Sequence, residues 1–280
     1  MTARIRSFTS DSLTFDVLDD GPLAGPAVVL LHGFPERASH WRDVSTVLHT
    51  HGLRTLAPDQ RGYSPGARPR GRRSYRMSRL VADTVALVER YGAPVHLVGH
   101  DWGAAVAWAT AAAHPDLVLS LTTVSVPHPA AFARSLVTSS QALRSWYVLA
   151  FQPPGVVELL ARTAPSSWSA LLRRAGLTDA EVQRFRHEIL DYGALPGALG
   201  WYRALPWSAG SAPGPVRVPT MHVWSDGDVS LTRRGAELTA DHVHAPYQLR
   251  VLHGVSHWVP TQAPDALADA VLASIDAATG

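Results

Sequence analysis

Short apolar runs alternate with amphipathic segments along most of the chain. The run Ala27–Leu31 is continuously apolar, which predicts a strand covered on both faces in a parallel sheet. Residues Leu13–Leu18 alternate apolar and polar positions, as a half-exposed strand near a sheet edge does. Ser78 is expected to cap a helix that ends at Tyr91. Further strands are predicted over Arg4–Phe8, Leu53–Ala57, Val95–Val98, Leu119–Val126, Val218–Trp224 and Gln248–Leu252. Strands that alternate with helices predict a doubly wound α/β sheet.

The regular alternation is interrupted over residues 127–215. This stretch contains tryptophan, proline and helical segments, and it lacks the pattern of a buried strand. We interpret it as an inserted helical lid, placed between a first core part, residues 1–126, and a second core part, residues 216–280. A chain of 280 residues, of which 46% are hydrophobic, is long enough for one large α/β domain with such an insertion.

Composition indicates the cellular compartment in which the protein is expected, and whether a membrane or a cofactor is expected. The absence of cysteine excludes disulfides and Cys-ligated metal sites, and fits a reducing compartment. No apolar leader region and no run of about 18 apolar residues occur, so we expect a cytoplasmic protein without membrane contact. The fourteen histidines show no H-E-x-x-H spacing, so no metal or other cofactor is expected.

The net charge of +2 points to no particular partner. The one concentrated basic run spans Arg68–Arg73 and continues to Arg76 and Arg79. No nucleic-acid motif or aromatic stacking pattern accompanies it, which favours a solvated loop and no nucleic-acid partner.

An acidic residue between two glycines follows the apolar run Val95–Val98. Gly99-His100-Asp101-Trp102-Gly103 has the spacing of the G-x-S-x-G elbow, a sharp turn between a strand and a helix that exposes a nucleophile. Asp101 stands where that motif has serine. The pattern therefore predicts a carboxylate nucleophile at position 101.

Two further candidates follow later strands. Asp228 and His257 lie in loops at the predicted carboxyl ends of strands, where catalytic groups of α/β folds converge. The order Asp101, Asp228, His257 is nucleophile, acid, base. Asp226 is an alternative to Asp228, and His253 a lesser alternative to His257.

Four motifs resemble those of the soluble epoxide hydrolases, members of the α/β-hydrolase fold superfamily. They are His32-Gly33-Phe34-Pro35, Arg61-Gly62-Tyr63-Ser64-Pro65-Gly66, the elbow Gly99-His100-Asp101-Trp102-Gly103, and Gly254-Val255-Ser256-His257-Trp258-Val259-Pro260. The similarity extends over essentially the full length. It implies the α/β-hydrolase fold, with a mostly parallel, doubly wound sheet and an inserted helical lid. It also favours Asp228 as the acid, four residues after the Trp224 that ends a strand.

Two lid segments resemble those that carry the two tyrosines of epoxide hydrolases. Tyr147 lies five residues before Gln152, and Tyr202 lies within Trp201-Tyr202-Arg203. Opening an epoxide creates an alkoxide, which a phenol can hydrogen-bond or protonate. The alternative is that both tyrosines are aromatic packing in the lid.

The resemblance implies a two-step reaction that yields a vicinal diol. Asp101 would attack an apolar epoxide held by Tyr147 and Tyr202, and His257, oriented by Asp228, would activate water against the resulting ester. The backbone N–H groups of Phe34 and Trp102 would form the oxyanion hole. The expected partners are the epoxide and water, and the chain is expected to be a monomer or a homodimer.

A haloalkane dehalogenase is the nearest alternative, because it uses the same Asp, His and Asp. It would need N–H donors for a halide, and Phe34 stands where that family has Asn or a similar partner. A fluoroacetate dehalogenase would carry Arg after the nucleophile, where this chain has Trp102. A serine esterase is disfavoured because the chain has no G-x-S-x-G motif. A non-catalytic ligand-binding member of the fold would have little use for the complete set of three residues.

Overall fold

One mostly parallel sheet forms the centre of the protein. The structure, a computed structural model, describes residues 3–208 and 213–279, so residues 209–212 of the predicted lid lie outside the described residues. The strands are β1 (Ser7–Ser10), β2 (Leu13–Asp20), β3 (Ala27–Leu31), β4 (Arg54–Pro58), β5 (Val95–His100), β6 (Val118–Val124), β7 (Thr220–Ser225) and β8 (Tyr247–Leu252). Their order is β1-β2-β4-β3-β5-β6-β7-β8. β2 pairs antiparallel with β1 and β4, and all other neighbours are parallel.

Helices cover both faces of this sheet. Those outside the predicted lid are α1 (Arg42–Thr50), α2 (Met77–Tyr91), α3 (Trp102–Ala113), and, after β7, α11 (Arg233–Leu238), α12 (Val259–Gln262) and α13 (Pro264–Thr279). Side chains of α2 and α3 pack in one apolar core, and those of α1 and α13 pack in a second one across the sheet. The predicted doubly wound α/β architecture is therefore confirmed.

Between β6 and β7, the regular elements of the described residues are helices, apart from an isolated bridge between Val216 and Val243. They include α4 (Pro129–Thr138), α5 (Gln141–Arg144), α6 (Trp146–Ala150), α7 (Val156–Thr163), α8 (Pro165–Arg174), α9 (Asp179–Phe185), a π-helical turn over Arg186–Asp191, and α10 (Leu195–Arg203). The indole N–H of Trp201 donates to the backbone oxygen of Arg61 at 2.7 Å, which ties α10 to the loop after β4. That this segment acts as a lid stays a prediction.

Short 3₁₀ turns complete the described structure. They cover Ala38–Trp41, Pro65–Ala67, Arg72–Tyr75, Pro115–Leu117, Leu205–Trp207 and Thr239–His242. Among the helices described, none is both long and apolar enough to cross a bilayer.

The prediction that Ser78 caps α2 is wrong. The helix begins at Met77, and its N-cap is Arg76, whose side chain makes no capping hydrogen bond. The hydroxyl of Ser78 instead accepts a hydrogen bond from the Arg76 side chain at 3.1 Å. The backbone N–H of Met77 donates to the Ser208 hydroxyl at 3.0 Å, so a distant residue satisfies the first helical N–H.

A buried ion pair fixes the loop after β4. Both nitrogens of the Arg61 fork, Nε and Nη2, donate to the Asp83 carboxylate at 2.7 Å. Burial raises the pKa of Asp83, and the charge and hydrogen bonds of Arg61 oppose that rise. Because the pair is shielded from water, removing one partner leaves an uncompensated buried charge.

We expect Arg61→Leu to lower the free energy of unfolding by about 3 to 5 kcal/mol, because it leaves Asp83 buried and unpaired. The double variant Arg61→Leu/Asp83→Leu should regain much of this loss. Arg233→Leu is the matched control, since it removes an exposed pair with Glu237 and should cost less than about 1 kcal/mol. Urea unfolding measures all three, and equal losses for Arg61→Leu and Arg233→Leu would contradict the expectation.

Candidate active site

Asp101 occupies a strained turn between β5 and α3. Its backbone has φ 52° and ψ −121°, a region that L residues rarely adopt. A Cβ atom on Gly99 would lie 2.3 Å from the backbone oxygen of Gly103, and one on Gly103 would lie 2.1 Å from that of Leu31. The turn therefore requires glycine at both positions, and it places the Asp101 side chain at the carboxyl end of the parallel strands.

The structure brings His257 and Asp228 to this carboxylate. His257 Nε2 lies 3.5 Å from Oδ2 of Asp101, and its Nδ1 lies 2.7 Å from Oδ2 of Asp228. The other Asp228 oxygen accepts hydrogen bonds from the backbone N–H groups of Ser230 at 2.7 Å and Leu231 at 2.9 Å. All three side chains of the set are buried. Asp228 is thus held in place while it orients the imidazole.

Asp226 and His253 pair with each other, away from Asp101. Nδ1 of His253 lies 2.7 Å from Oδ2 of Asp226, and both side chains are exposed. The backbone N–H of Gly254 donates to the other Asp226 oxygen at 2.8 Å. The geometry therefore favours Asp228 and His257 over these two alternatives.

One backbone donor already contacts the candidate nucleophile. The N–H of Phe34, in the loop after β3, donates to Oδ1 of Asp101 at 2.9 Å. Gly33 makes this approach possible, because a Cβ there would lie 2.4 Å from the Asp101 Cβ. Trp102 is the first residue of α3, where backbone N–H groups have no partner within the helix.

The charges of Asp101, Asp228 and His257 influence one another at the centre of the site. Burial alone would lower the pKa of His257, but the carboxylates of Asp228 and Asp101 outweigh it and raise that pKa to about 10. Burial would raise the pKa of Asp101, yet its hydrogen bond to His257 and the charge of that imidazolium hold it below the ordinary value. At neutral pH the site therefore contains an imidazolium between two carboxylates.

Tyr147 and Tyr202 lie beside each other although they come from separate helices. Tyr147 belongs to α6 and Tyr202 to α10, and their ring centroids are 6.1 Å apart. Burial of each hydroxyl, followed by the nearby charge of Asp101, raises the pKa of both tyrosines well above 10. Both phenols therefore keep their protons near Asp101 over the ordinary pH range.

Aromatic rings enclose Tyr202 on three sides. Its ring centroid lies 5.2 Å from that of Phe34, 5.1 Å from that of Trp102 and 5.0 Å from that of Phe151. Each of these pairs is nearly perpendicular, at 87°. Such edge-to-face contacts are a favourable arrangement of aromatic rings. They give the surroundings of the phenol an apolar lining.

Arg203 connects the segments that carry the two tyrosines. It follows Tyr202 in the chain, and its guanidinium donates to the backbone oxygens of Phe151 at 3.0 Å and Pro153 at 3.1 Å, just after α6. It also forms two hydrogen bonds with the carboxylate of Glu158, at 2.7 and 3.0 Å. The Gln152 amide adds a hydrogen bond to the backbone oxygen of Tyr202 at 2.9 Å. We call Arg203, Glu158 and Gln152 the lid clamp.

Glu36, His40 and His100 form a buried cluster behind His257, which the sequence analysis missed. Burial raises the pKa of Glu36 to about 7 and lowers that of His100 to about 3. Burial also lowers the pKa of His40 well below its usual value. Of the described residues, these are the ones that could hold a metal ion, since they offer ligand atoms within 4.8 Å of one another. The spacing Glu36-x-x-x-His40, close to Phe34 in the chain, is the sequence pattern that could have indicated part of this cluster.

Comparisons with known proteins identify the family of the chain. Residues 26–263 match the α/β hydrolase fold family. The chain is 33% identical over 267 residues to the AB hydrolase superfamily protein YfhM of Bacillus subtilis, covering 91% of this chain and 92% of that protein. It is 31% identical to epoxide hydrolase A of Mycobacterium tuberculosis, covering 95% of both. The crystal structure of epoxide hydrolase A from Mycobacterium thermoresistibile superposes with a TM-score of 0.81 at 27% identity, covering 98% of both chains.

The relatives and the crystal structure match this chain over almost its whole length, including the region between β6 and β7. The resemblance read from the four sequence motifs is therefore confirmed. The chain belongs to the epoxide hydrolases of the α/β-hydrolase fold family, and it is a hydrolase.

Proposed function

We propose that this enzyme converts an apolar epoxide to a vicinal diol through a covalent ester on Asp101. The observation that carries the proposal is the placement of two protonated phenols, Tyr147 and Tyr202, near the Asp101 carboxylate, which His257 keeps ionised. When a carboxylate opens an epoxide, negative charge develops on the epoxide oxygen. The two phenols can stabilise that charge by hydrogen bonding.

In the first step, a carboxylate oxygen of Asp101 attacks a ring carbon of the epoxide. Oδ1 is held by the N–H of Phe34, which leaves Oδ2 to form the new C–O bond while the C–O bond of the ring breaks. The released oxygen takes a proton from Tyr147 or Tyr202. The phenolate regains a proton at once because its pKa is well above 10, and His257 can release one as described next.

Ester formation converts His257 from an ion-pair partner into a base. In the resting site the charge of Asp101 contributes to the raised pKa of His257. The ester carries no charge, so this contribution is lost, the pKa of His257 falls and its Nε2 gives up the proton. Asp228 still binds Nδ1 and orients the ring. The nucleophile therefore controls when the base becomes active.

In the second step, neutral His257 takes a proton from water, whose oxygen attacks the carbonyl carbon of the Asp101 ester. The negative charge develops on Oδ1, where the N–H groups of Phe34 and Trp102 stabilise it. The bond from the carbonyl carbon to Oδ2 then breaks, and the diol leaves with Oδ2 and a proton from His257. The remaining acid proton moves from Asp101 to His257, which restores the ion pair.

The apolar surroundings support a substrate with an apolar substituent. Phe34, Trp102 and Phe151 enclose Tyr202, and the segment over residues 127–215 acts as the lid that brings both tyrosines to the core. Water and the epoxide are the only reactants in this scheme, and no cofactor enters it.

The double variant Tyr147→Phe/Tyr202→Phe should lower the rate of ester formation by at least about a thousandfold, because no phenol remains to stabilise the alkoxide. Each single variant should lose about a hundredfold. Single-turnover fluorescence with an aryl epoxide measures this step, and diol analysis measures the product. Near-normal rates in the double variant would reduce both tyrosines to packing residues.

The wild-type enzyme should be incubated with the same epoxide and, separately, with 1-chloro- and 1-bromoalkanes. Diol from the epoxide without halide from the alkanes is the expected result. Halide release without diol formation would instead identify a haloalkane dehalogenase that uses Asp101, His257 and Asp228.

Both steps should slow as pH falls, but ester hydrolysis should do so at a higher pH than ester formation. Because the pKa of Asp101 is lowered, ester formation should keep its full rate down to pH values near the ordinary aspartate pKa. Ester hydrolysis should slow as pH falls, since protonated His257 cannot act as base, and its midpoint should lie below 10, the value for the resting site. Stopped-flow measurement of each step across pH checks this, and a shared acidic midpoint would contradict it.

We expect Arg203→Met to slow ester formation on the order of a hundredfold, the loss typical of a misplacement of about 1 Å, because the lid clamp sets the separation of the tyrosines. Hydrolysis of a preformed ester should change far less, since it does not use the phenols. Arg173→Met is the control, because its ion pair with Asp179 is exposed on the same segment. Equal slowing of both steps by Arg203→Met would indicate general misfolding.

A further inference from the structure

The buried cluster of Glu36, His40 and His100 consists of residue types that bind metal ions. Glu36 and His40 come from the loop and 3₁₀ turn after β3, and His100 ends β5. Their relative exposures are 8%, 1% and 0%. Nδ1 of His40 pairs with Oε2 of Glu36, whereas Nε2 of His40 and Nδ1 of His100 make no hydrogen bond within the described part of the chain. Buried polar atoms are nearly always paired, so these two nitrogens require an explanation.

His100 is oriented as a metal-binding histidine is. Its Nε2 lies 3.0 Å from the backbone oxygen of His257, so this nitrogen donates and Nδ1 carries the free lone pair. That lone pair is on the side of Glu36, with Nδ1 3.9 Å from Oε2. A hydrogen bond from the second ring nitrogen to a backbone carbonyl is the usual way in which proteins fix the tautomer of a ligating histidine.

The donor set fits zinc. Two imidazole nitrogens and one carboxylate oxygen are a frequent set of protein ligands for Zn²⁺, with a fourth position left for water. Tetrahedral ligands at about 2.1 Å from the ion lie about 3.4 Å apart. Nδ1 of His100 lies 3.9 Å from Oε2 of Glu36, somewhat farther than this, whereas Nδ1 of His40 contacts Oε2 of Glu36 more closely than two ligands of one ion would. A small movement of His40 away from Glu36 would admit the ion.

Space for the fourth ligand lies next to the cluster. A cavity of about 10 Å³ is lined by Glu36 and His40 and by residues of α9, including Glu181 and Arg184. That volume is about the size that one water molecule needs. We propose that Glu36, His40 and His100 bind one Zn²⁺ ion, with a water molecule from this cavity as fourth ligand.

The charges around the cluster set the affinity. The charge of Asp101 attracts a cation at His40 and His100, whereas the imidazolium of His257 repels it. Arg184 also opposes binding, because its Nη2 lies 3.9 Å from Oε1 of Glu36. The Arg184 side chain is partly exposed and can turn towards solvent when an ion binds. Removing its charge should therefore tighten binding.

The test is direct zinc binding by the full chain, which does not depend on the proposed reaction. Chelator-treated protein is titrated with ZnCl₂ in a metal buffer, followed by metal analysis and by the fluorescence of Trp41, whose ring centroid lies 5.6 Å from that of His40. One ion per chain is expected. His40→Gln should weaken the affinity at least about a hundredfold, and Arg184→Met should strengthen it. His253→Gln, which changes the exposed pair with Asp226, should leave it unchanged.

Equal affinities of His40→Gln and His253→Gln, or no bound zinc in the wild-type chain, would overturn the proposal. X-ray absorption at the zinc edge of the wild-type protein provides a measurement that does not depend on any variant folding. Two imidazoles with oxygen ligands would support the site, and a shell of oxygen atoms alone would refute it.

Discussion

The close approach of the elbow after β5 to the loop after β3 is the constraint on which the site depends. Gly103 lies against the backbone of Leu31, and Gly33 lies against Asp101, at separations that leave no room for a Cβ atom. This contact holds Asp101 in its strained conformation and brings the N–H of Phe34 to its carboxylate. A bulkier residue at any of these glycines would separate the nucleophile from its backbone donor. The strain at Asp101 is sustained because two neighbouring, fully buried strands, β3 and β5, fix both sides of the contact.

Charge balance then links this backbone geometry to the proposed chemistry. His257 is positively charged in the resting site because two carboxylates outweigh the effect of burial on its pKa. The same ion pair keeps Asp101 ionised and ready to attack. In the proposed reaction, the charge of Asp101 disappears once it becomes an ester, and the imidazole of His257 becomes a base. His257 would thus serve first as a counter-ion and then as a proton acceptor.

The sequence predicted what depends on local patterns. Continuous apolar runs located the buried strands, and the glycine spacing located the elbow at Asp101. The choice between Asp228 and Asp226 required the fold, because both follow the same strand and only their hydrogen bonds distinguish them. The start of α2 was misjudged at Ser78, since its first N–H is satisfied by the distant Ser208. The buried cluster was missed for a similar reason: β5 pairs directly with β3, and only this pairing brings His100 to Glu36 and His40.

The central claim is that Asp101 is consumed and regenerated in each turnover, and isotope labelling tests it most directly. Enzyme in molar excess over an epoxide is allowed to complete one turnover in H₂¹⁸O, and the diol and the peptide that contains Asp101 are analysed by mass spectrometry. Because the diol leaves with Oδ2 of Asp101, the account predicts that ¹⁸O appears in the Asp101 side chain and not in the diol. Label in the diol with an unlabelled Asp101 would contradict the account, since it would mean that water attacks the epoxide directly.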